Sequence, residues 1–229
     1  MKPLFLMYGG KHNLAKRLGP PQRDHVIEPF GGSAGYSCYW EPKQVTLIER
    51  DPTIYGVWKF LQRSAPKDIM RLPVAIDSVD ELPQRVCQEA KWLIGFWFNH
   101  GLAQPAVRRS NWARQPRHRA SFWSHTIRLR VATQIEKIRA WKIVHGSWHN
   151  APNVAAHWHV DPPYTVAGKL YRYNEVDYLA LADWCRTRKG HVQVCETTGA
   201  DWLPFEEYAA LSDRHRRGIA AEAVFEMET

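Results

Sequence analysis

The order of the sequence patterns predicts an α/β fold with a mixed, mostly parallel sheet that has helices on both faces. Short apolar runs that suit strands alternate with longer amphipathic runs that suit helices. A glycine-rich turn joins the first predicted strand to the next helix, which is typical of α/β proteins that bind nucleotide-like ligands. The last two predicted strands follow each other without a helix between them, so we expect an antiparallel hairpin that makes the sheet mixed.

The composition favours a polyanionic partner. The chain has 229 residues and 45% hydrophobic residues, enough for one large domain or one domain with an insertion. Its 31 basic residues outnumber 23 acidic ones and give a net charge of +8, so nucleic acid is the leading candidate partner. A merely soluble basic protein is the alternative. Some of the eleven tryptophans should lie in the core, and others could stack on bases.

The four cysteines lie far apart and show no C-x-x-C spacing, so we expect reduced, mostly buried thiols in a cytoplasmic protein. No apolar run reaches the length of a transmembrane helix, and no signal peptide is visible at the N-terminus. His157 and His159 share one strand face, but no cysteine or carboxylate set at ligand spacing accompanies them. We therefore expect neither a metal site nor a membrane partner.

The first predicted strand, residues 25–28, ends at Glu28 and leads into the glycine-rich turn, with a helix of residues 34–40 after it. This arrangement holds a cofactor at the carboxyl end of the first strand, because glycines let the backbone approach a ligand closely. The spacing is not G-x-G-x-x-G, and a plain strand–helix turn is the alternative. The turn consists of Pro29, Phe30, Gly31, Gly32 and Ser33.

Two further segments add candidate cofactor-binding residues. Lys11 follows two glycines in an N-terminal loop, where the backbone can approach a ligand and the ammonium can contact it, although Gly-Gly is usually a turn. Glu49 ends the second predicted strand, residues 45–49, about 20 residues past the first strand, where a carboxylate commonly holds a ribose diol. A solvated strand end is the alternative for Glu49. Asp51 is expected to cap the helix of residues 53–64.

Residues 65–141 form a predicted helical, basic insertion. A capping box at Ser78 predicts a helix of residues 79–99, and residues 121–141 predict another. Between them, residues 101–120 contain arginines, an aromatic residue and amides but no acidic residue, which favours nucleic-acid contact over a solvated basic loop. The candidate contact residues are Arg108, Arg109, Asn111, Arg114, Arg117 and Arg119.

The sequence Asp161-Pro162-Pro163-Tyr164 follows a predicted strand of residues 154–160. Two prolines fix two φ angles and remove two backbone donors, so the local carbonyls are left free to accept hydrogen bonds. Asp161 and the Pro162 carbonyl could accept two N–H bonds from a planar amine while Tyr164 stacks on its ring. A strand-ending Asp-Pro turn is the alternative, but the complete tetrad after a strand favours a functional site.

The remaining segments complete the predicted sheet. Residues 165–173 are polar and suited to closing over a bound base, and Asn174 is expected to cap a helix that runs to residue 189. Arginines near the C-terminus add basic charge. The remaining strands are predicted at residues 142–145, 191–196, 208–212 and 223–227, and the arginines are Arg214, Arg216 and Arg217.

Together these motifs resemble the Dam-like class of DNA adenine-N6 methyltransferases. Residues 7–11 are similar to that family's N-terminal aromatic-x-Gly-Gly-Lys element, and residues 28–33 are similar to its cofactor loop. Glu49 stands at its ribose-binding acid, which is usually Asp, and residues 161–164 match its catalytic tetrad. The family usually has glycine where Ala34 stands, so we expect the turn to shift by one residue and use Gly35.

The resemblance implies a Rossmann-like methyltransferase fold, S-adenosylmethionine as the cofactor and double-stranded DNA as the partner. It implies a catalytic domain of residues 1–64 and 142–229, with residues 65–141 as the target-recognition region. Asp161 and the Pro162 carbonyl would hold N6 of a flipped-out adenine, Tyr164 would stack on the base, and Pro163 would complete the catalytic tetrad. The implied cofactor-binding residues are Tyr8, Lys11, Glu28, Phe30, Gly31, Gly32, Ser33, Glu49 and Asp161.

Other functions stay open at this point. The acceptor could be cytosine N4 or adenine in RNA, or the chain could be a catalytically idle nucleic-acid-binding homologue. The complete tetrad and Glu49 favour the enzyme, because binding alone does not require them. The short insertion predicts modest sequence specificity, and we expect a monomer or weak dimer in the cytoplasm of a bacterial or phage-infected cell.

Overall fold

The structure, a computed structural model, describes residues 1–207 and 222–229, and these contain a seven-stranded mixed sheet. The strands are β1 (His25–Glu28), β2 (Gln44–Glu49), β3 (Lys142–His145), β4 (Ala156–Val160), β5 (Gly190–Thr197), β6 (Glu206–Glu207) and β7 (Glu222–Glu228). Their order across the sheet is β3-β2-β1-β4-β5-β7-β6. Strands β1 to β5 are parallel, and β7 pairs antiparallel with both β5 and β6. The predicted α/β fold with a mixed, mostly parallel sheet is confirmed.

Helices cover both faces of this sheet. Neighbouring strand residues point to opposite faces, and Leu47 and Ile48 of β2 accordingly belong to two different hydrophobic clusters. Trp58 packs in the cluster with Leu47, and Leu181 packs in the cluster with Ile48. The α-helices of the described residues are α1 (Ala15–Leu18), α2 (Gly35–Trp40), α3 (Pro52–Arg63), α4 (Pro66–Met70), α5 (Gln88–Phe96), α6 (Asn111–Arg114), α7 (His125–Gln134) and α8 (Tyr178–Arg186).

The order of the strands changes direction at β1: the chain adds β2 and β3 on one side of β1, and then β4 and β5 on the other side. Ile27 of β1 lies opposite Thr46 of β2 on one side and opposite Trp158 of β4 on the other. In open α/β sheets of this Rossmann-like kind, the connections diverge at such a point and leave a crevice outside the carboxyl ends of the strands. Glu28, Glu49 and Asp161 stand at or just after the ends of these three strands.

The single helix predicted for residues 79–99 is wrong in its first half. The capping box exists, since Ser78 Oγ accepts from the Asp80 N–H at 3.1 Å and Glu81 accepts from the Ser78 N–H at 2.8 Å. Only one turn of 3-10 helix follows, because Leu82 precedes Pro83 and is extended, with ψ at 139°. The α-helix begins only at Gln88.

Two other helix boundaries also differ from the prediction. In the segment 121–141, α7 begins after Ser124, whose Oγ accepts from the Ile127 N–H at 3.4 Å. After the tetrad, α8 begins after Asp177 rather than Asn174, because the Asp177 carboxylate accepts from the Ala180 N–H at 3.0 Å. The later start leaves Glu175 and Val176 in a loop that reaches the site described below.

The buried side chains of residues 65–141 pack together with the N-terminal segment. Leu93 and Trp123 belong to the hydrophobic cluster that contains Leu4 and Trp58. The Trp97 indole donates to the Leu4 carbonyl at 2.9 Å. The insertion is therefore anchored on the face of the sheet that α3 covers.

Some predictions fall on the undescribed stretch. The predicted strand of residues 208–212 and the arginines Arg214, Arg216 and Arg217 lie outside the described residues. Within the described part, no helix has the length and apolar character needed to cross a membrane. No cluster of three or more His, Cys, Asp or Glu side chains there could hold a metal ion. All four cysteines are free, and Cys87 is the exposed one.

Candidate active site

A cleft of about 920 Å³, partly open to solvent, lies at the carboxyl ends of β1, β2 and β4. Its position matches the crevice expected where the strand order reverses. The tetrad contributes Asp161 and Pro163 to the lining. All nine predicted cofactor-binding residues line it: Tyr8, Lys11, Glu28, Phe30, Gly31, Gly32, Ser33, Glu49 and Asp161.

The glycine turn after β1 is tied to the end of β2. The Gly31 N–H donates to the Ile48 carbonyl at 2.8 Å, and the Gly32 N–H donates to Glu49 Oε2 at 2.8 Å. Gly32 has a φ of +44°, and a side chain there would meet no atom within 4 Å, so its backbone faces open space in the cleft. The glycine turn and Glu49, which are separated in the sequence, are therefore in direct contact in the structure.

The expected shift of the turn to Gly35 does not occur. Ala34 itself takes the left-handed conformation, with φ at +47° and ψ at 46°. Gly35 is required for close packing. A Cβ atom there would lie 2.8 Å from the backbone nitrogen of Lys11 and 2.5 Å from the backbone nitrogen of His12. The absence of a side chain at Gly35 lets the N-terminal loop pack against α2, which places Lys11 in the cleft.

Two carboxyl groups of the cleft are buried and shifted in pKa. Burial raises the pKa of Glu28 to about 7, although Glu28 accepts from the Ser37 N–H at 2.9 Å. Burial likewise raises the pKa of Glu49 to about 7, against the lowering effect of hydrogen bonds from the Asp51 and Gly32 N–H groups. Both carboxyl groups therefore change charge near neutral pH, which is common at functional sites.

Lys11 connects the N-terminal loop to the tetrad. Its ammonium lies 2.8 Å from Asp161 Oδ1 and donates to the Gly9 carbonyl at 2.9 Å. It also lies 4.0 Å from Glu222 Oε1 on β7 and 4.7 Å from the centre of the Tyr164 ring. The Lys11 ammonium is thus shared by two carboxylates and one aromatic ring.

Two acceptors of the tetrad have no hydrogen-bond partner among the described residues. Within residues 1–207 and 222–229, no hydrogen bond reaches Asp161 Oδ2 or the Pro162 carbonyl. The Pro163 carbonyl, in contrast, accepts from the Tyr178 hydroxyl at 2.7 Å. An amino group needs two acceptors for its two N–H bonds. Asp161 lines the cleft, whereas Pro162 is buried and does not line it.

Tyr164 lies beside the cleft and does not line it. Its hydroxyl donates to Glu222 Oε2 at 2.6 Å, and burial raises its pKa well above the usual range for tyrosine. Its backbone carbonyl accepts from the Gly168 N–H at 2.8 Å. Asp161 therefore lines the cleft, whereas the Tyr164 ring does not.

The segment after the tetrad crosses to the N-terminal loop. The Tyr171 hydroxyl donates to the Tyr8 carbonyl at 2.7 Å, and Gly9 has room for this hydroxyl because it lacks a side chain. Arg172 and Tyr173 continue along the cleft wall. Of the segment 165–173, residues 171–173 therefore line the cleft.

Several lining residues were not predicted from the sequence. Gln104, which belongs to the insertion, donates to Asp51 Oδ2 at 2.7 Å and so brings the insertion to the cleft. Ser147 and Trp148 follow β3, whose carboxyl end could have indicated them, because parallel strands present their carboxyl ends at one edge. The unpredicted polar and aromatic lining residues are Arg50, Asp51, Gln104, Ser147, Trp148 and Glu175, whereas Tyr171, Arg172 and Tyr173 belong to the predicted segment 165–173.

The candidate nucleic-acid residues divide into one buried and five exposed side chains. Arg109 is 5% exposed, donates from Nε to the Ile76 carbonyl at 3.0 Å and also bonds the Trp123 carbonyl. Its guanidinium is buried and bonds backbone carbonyls, so we assign Arg109 a structural role and not a phosphate contact. The side chains that remain at the surface are Arg108, Asn111, Arg114, Arg117 and Arg119.

Acidic partners for this basic segment come from another part of the insertion. Arg108 lies 3.6 Å from Asp80, and Arg119 lies 3.9 Å from Asp77. Both arginine side chains are nevertheless about two-thirds exposed, at 69% and 64%. Such exposed pairs contribute little to stability and leave the cations accessible to another anion.

The chain matches no model of a protein family, and no curated protein is similar to it at a significant level. The function of the cleft is therefore argued from its geometry and its motifs.

Proposed function

We propose that this protein is a methyltransferase that moves a methyl group from S-adenosylmethionine to N6 of an adenine flipped out of double-stranded DNA. The observation that carries the proposal is that Asp161 lines the same cleft as Gly32 and Glu49. An amine held by the tetrad and a cofactor held at the glycine turn would share one continuous space. Flipping the adenine costs a few kcal/mol, which contacts around the extruded base must offset.

The residues of the cleft suit this cofactor. The Glu49 carboxylate and the exposed Gly32 backbone fit a ribose diol and the atoms next to it. Glu28, Glu49 and Asp161 give the cleft an acidic lining, which suits a ligand with a sulfonium and an amino group. When bound, S-adenosylmethionine supplies a methyl carbon attached to a good leaving group, so the protein needs mainly to align the acceptor.

The tetrad supports this alignment. Asp161 Oδ2 and the Pro162 carbonyl can accept the two N–H bonds of an exocyclic amine and direct its lone pair toward the cleft. Transfer forms the N6–methyl bond, releases the thioether with the electrons of the broken C–S bond and leaves N6 with one surplus proton. The Asp161 carboxylate can accept that proton, and the Lys11 ammonium holds this carboxylate in position.

The surface charge supports DNA as the partner. The five exposed insertion residues could contact phosphates and base edges, and the chain carries a net charge of +8. We infer that residues 65–141 form the recognition region and that residues 1–64 and 142–229 form the catalytic region. This activity belongs in the cytoplasm of a bacterial or phage-infected cell, where the cofactor and DNA are both present.

The test is to incubate the protein with methyl-labelled S-adenosylmethionine and plasmid DNA, and to identify the labelled nucleoside after digestion. N6-methyladenine is expected. N4-methylcytosine, or label only in an RNA substrate, would support the alternative acceptors, and no label in either would support an idle homologue. Asp161→Ala should lower the transfer rate by a factor on the order of 10²–10³ or more while cofactor binding in calorimetry persists.

A further inference from the structure

β7, which lies two strands from β4 in the sheet, brings a carboxylate to the tetrad. Glu222, the first residue of β7, pairs with Thr197 of β5 in the antiparallel ladder. Its side chain is 18% exposed, and its Oε2 accepts from the Tyr164 hydroxyl at 2.6 Å. Its other oxygen lies 4.0 Å from the Lys11 ammonium.

The prolines alone do not set the direction of the Tyr164 ring. Pro162 and Pro163 fix their own φ angles, but the side-chain torsions of Tyr164 stay free to rotate, and the second torsion of tyrosine is broad. A hydrogen bond at the far end of the ring fixes the position of the hydroxyl oxygen, and this restricts the first torsion, which sets the direction of the ring. Glu222 provides that bond from a strand whose register is held by seven residue pairs with β5.

The same carboxylate also completes a closed network. Lys11 contacts Asp161 at 2.8 Å, Glu222 contacts the Tyr164 hydroxyl, and the ammonium lies 4.7 Å from the ring centre. The acceptor of the amine and the stacking ring are therefore linked through one cation and one carboxylate. A change at Glu222 is therefore expected to alter the position of the ring relative to Asp161.

We propose that Glu222 is a positioning residue, which fixes the direction in which the Tyr164 ring projects and so keeps the ring where it can stack on the target base. The role rests on the proposed methyl transfer. Glu222 does not line the cleft, so its loss should affect the base and not the cofactor. Without Glu222, the largely buried Tyr164 hydroxyl loses its partner and the ring can turn.

The test compares Glu222→Ala, Glu222→Gln, Tyr164→Phe and the double variant Tyr164→Phe/Glu222→Ala, with initial transfer rates measured on plasmid DNA. Glu222→Ala should lower kcat by about 10- to 100-fold, with the cofactor Kd unchanged within about twofold in calorimetry. Glu222→Gln keeps an acceptor oxygen and should recover most of the rate. The double variant should lose no more than the single variants, because both remove the same hydrogen bond.

A control on the same strand separates positioning from general damage to β7. Glu228 lies about 20 Å along the strand from Glu222 and bonds the exposed Arg23. Glu228→Gln should leave kcat unchanged. Normal kcat in Glu222→Ala, or strictly additive effects in the double variant, would overturn the positioning role.

A double-mutant cycle measured on unfolding does not depend on enzymatic activity. It therefore distinguishes a failure of the positioning role from a failure of the proposed function. The unfolding equilibrium of the same four variants measures the Tyr164–Glu222 interaction directly. Coupling of about fivefold or more in the unfolding constant is expected. Coupling without any transfer by the wild-type protein would refute methyl transfer, and with it the role of Glu222 in stacking, while transfer without coupling would refute the positioning role alone.

Discussion

The ammonium nitrogen of Lys11 lies 2.8 Å from Oδ1 of Asp161, with only 3% of the lysine side chain exposed. Burial by itself lowers the pKa of Lys11, but the charges of Asp161 and Glu222 outweigh it and raise the pKa above the usual range of lysine. The ammonium therefore stays charged around neutral pH. This one contact joins the N-terminal loop to the tetrad across more than half of the chain.

Lys11→Met should destabilise the protein, because it leaves Asp161 and Glu222 close together without their shared cation. Both carboxylates are partly exposed, at 20% and 18%, so we expect a loss of about 2 kcal/mol in the free energy of unfolding rather than the full cost of a buried pair. Urea denaturation measures it. Lys43→Met is the matched control, since Lys43 pairs with Asp24 at the surface and its loss should cost less than about 0.5 kcal/mol. Equal losses in the two variants would contradict the prediction.

Cofactor affinity should rise with pH. Burial raises the pKa values of Glu28 and Glu49 to about 7, so both carboxyl groups are largely protonated at pH 6 and ionised at pH 8. A cationic cofactor with ribose hydroxyls binds the ionised forms better, and we expect roughly tenfold tighter binding at pH 8. Calorimetry with S-adenosylmethionine measures it. Glu49→Gln should flatten the profile, and an unchanged profile in that variant would assign the effect elsewhere.

The same two carboxyl groups should make the folded protein less stable as the pH rises, whereas they should make cofactor binding tighter. Their folded-state pKa values are raised above the ordinary value of 4.5, so the folded state holds their protons more tightly than the unfolded chain does. Their stabilising contribution is fully present below pH 4.5 and is lost as the pH rises through 7. Gains in cofactor binding above pH 7 therefore accompany a loss of stability in the ligand-free protein.

Arg108 and Arg109 are adjacent, yet their loss should have different effects. Arg108→Gln removes an exposed cation, which should weaken DNA binding and reduce the slope of log K against log salt by about 0.9. Arg109→Gln should leave that slope unchanged and lower the free energy of unfolding by about 3 kcal/mol, because the buried guanidinium bonds two carbonyls. Binding titrations at several salt concentrations and urea denaturation measure the two effects. A changed salt slope in Arg109→Gln would contradict the structural role assigned to Arg109.

His157 should make the fold sensitive to acid. It lies stacked between Tyr36 and His191, and burial lowers its pKa to about 2, with His159 and His191 adding to the effect. Because the unfolded chain protonates near 6.5, this contribution to stability is complete above pH 6.5 and is lost as the pH falls.

His157→Phe keeps a stacked ring without a titrating group. It should reduce the difference in unfolding free energy between pH 7 and pH 5 by about 2 kcal/mol, measured by urea denaturation at both values. Replacement of the exposed His100 by Gln should leave that difference unchanged. A full difference in His157→Phe would show that other groups cause the acid sensitivity.

Most of the cleft could be predicted from local sequence. The glycine turn, Glu49 and the tetrad each follow a strand, and parallel strands place their carboxyl ends at one edge of the sheet. Strand and turn patterns depend on residues a few positions apart, so β1, β2, β4 and the Asp51 helix cap were all correctly placed. The order of motifs along the chain was enough to bring these residues into one cleft.

Tertiary packing decided the roles of individual side chains. Arg108 and Arg109 are neighbours of the same type, but only packing against Ile76 and Trp123 determines that one is buried. Glu222 lies 58 residues from Tyr164, and no local pattern indicates their hydrogen bond. Sequence by itself determined the elements and the motifs at their ends, because those depend on neighbouring residues. Burial, charge pairing and pKa depend on atoms that come together only when distant segments pack, so only the folded structure decided them.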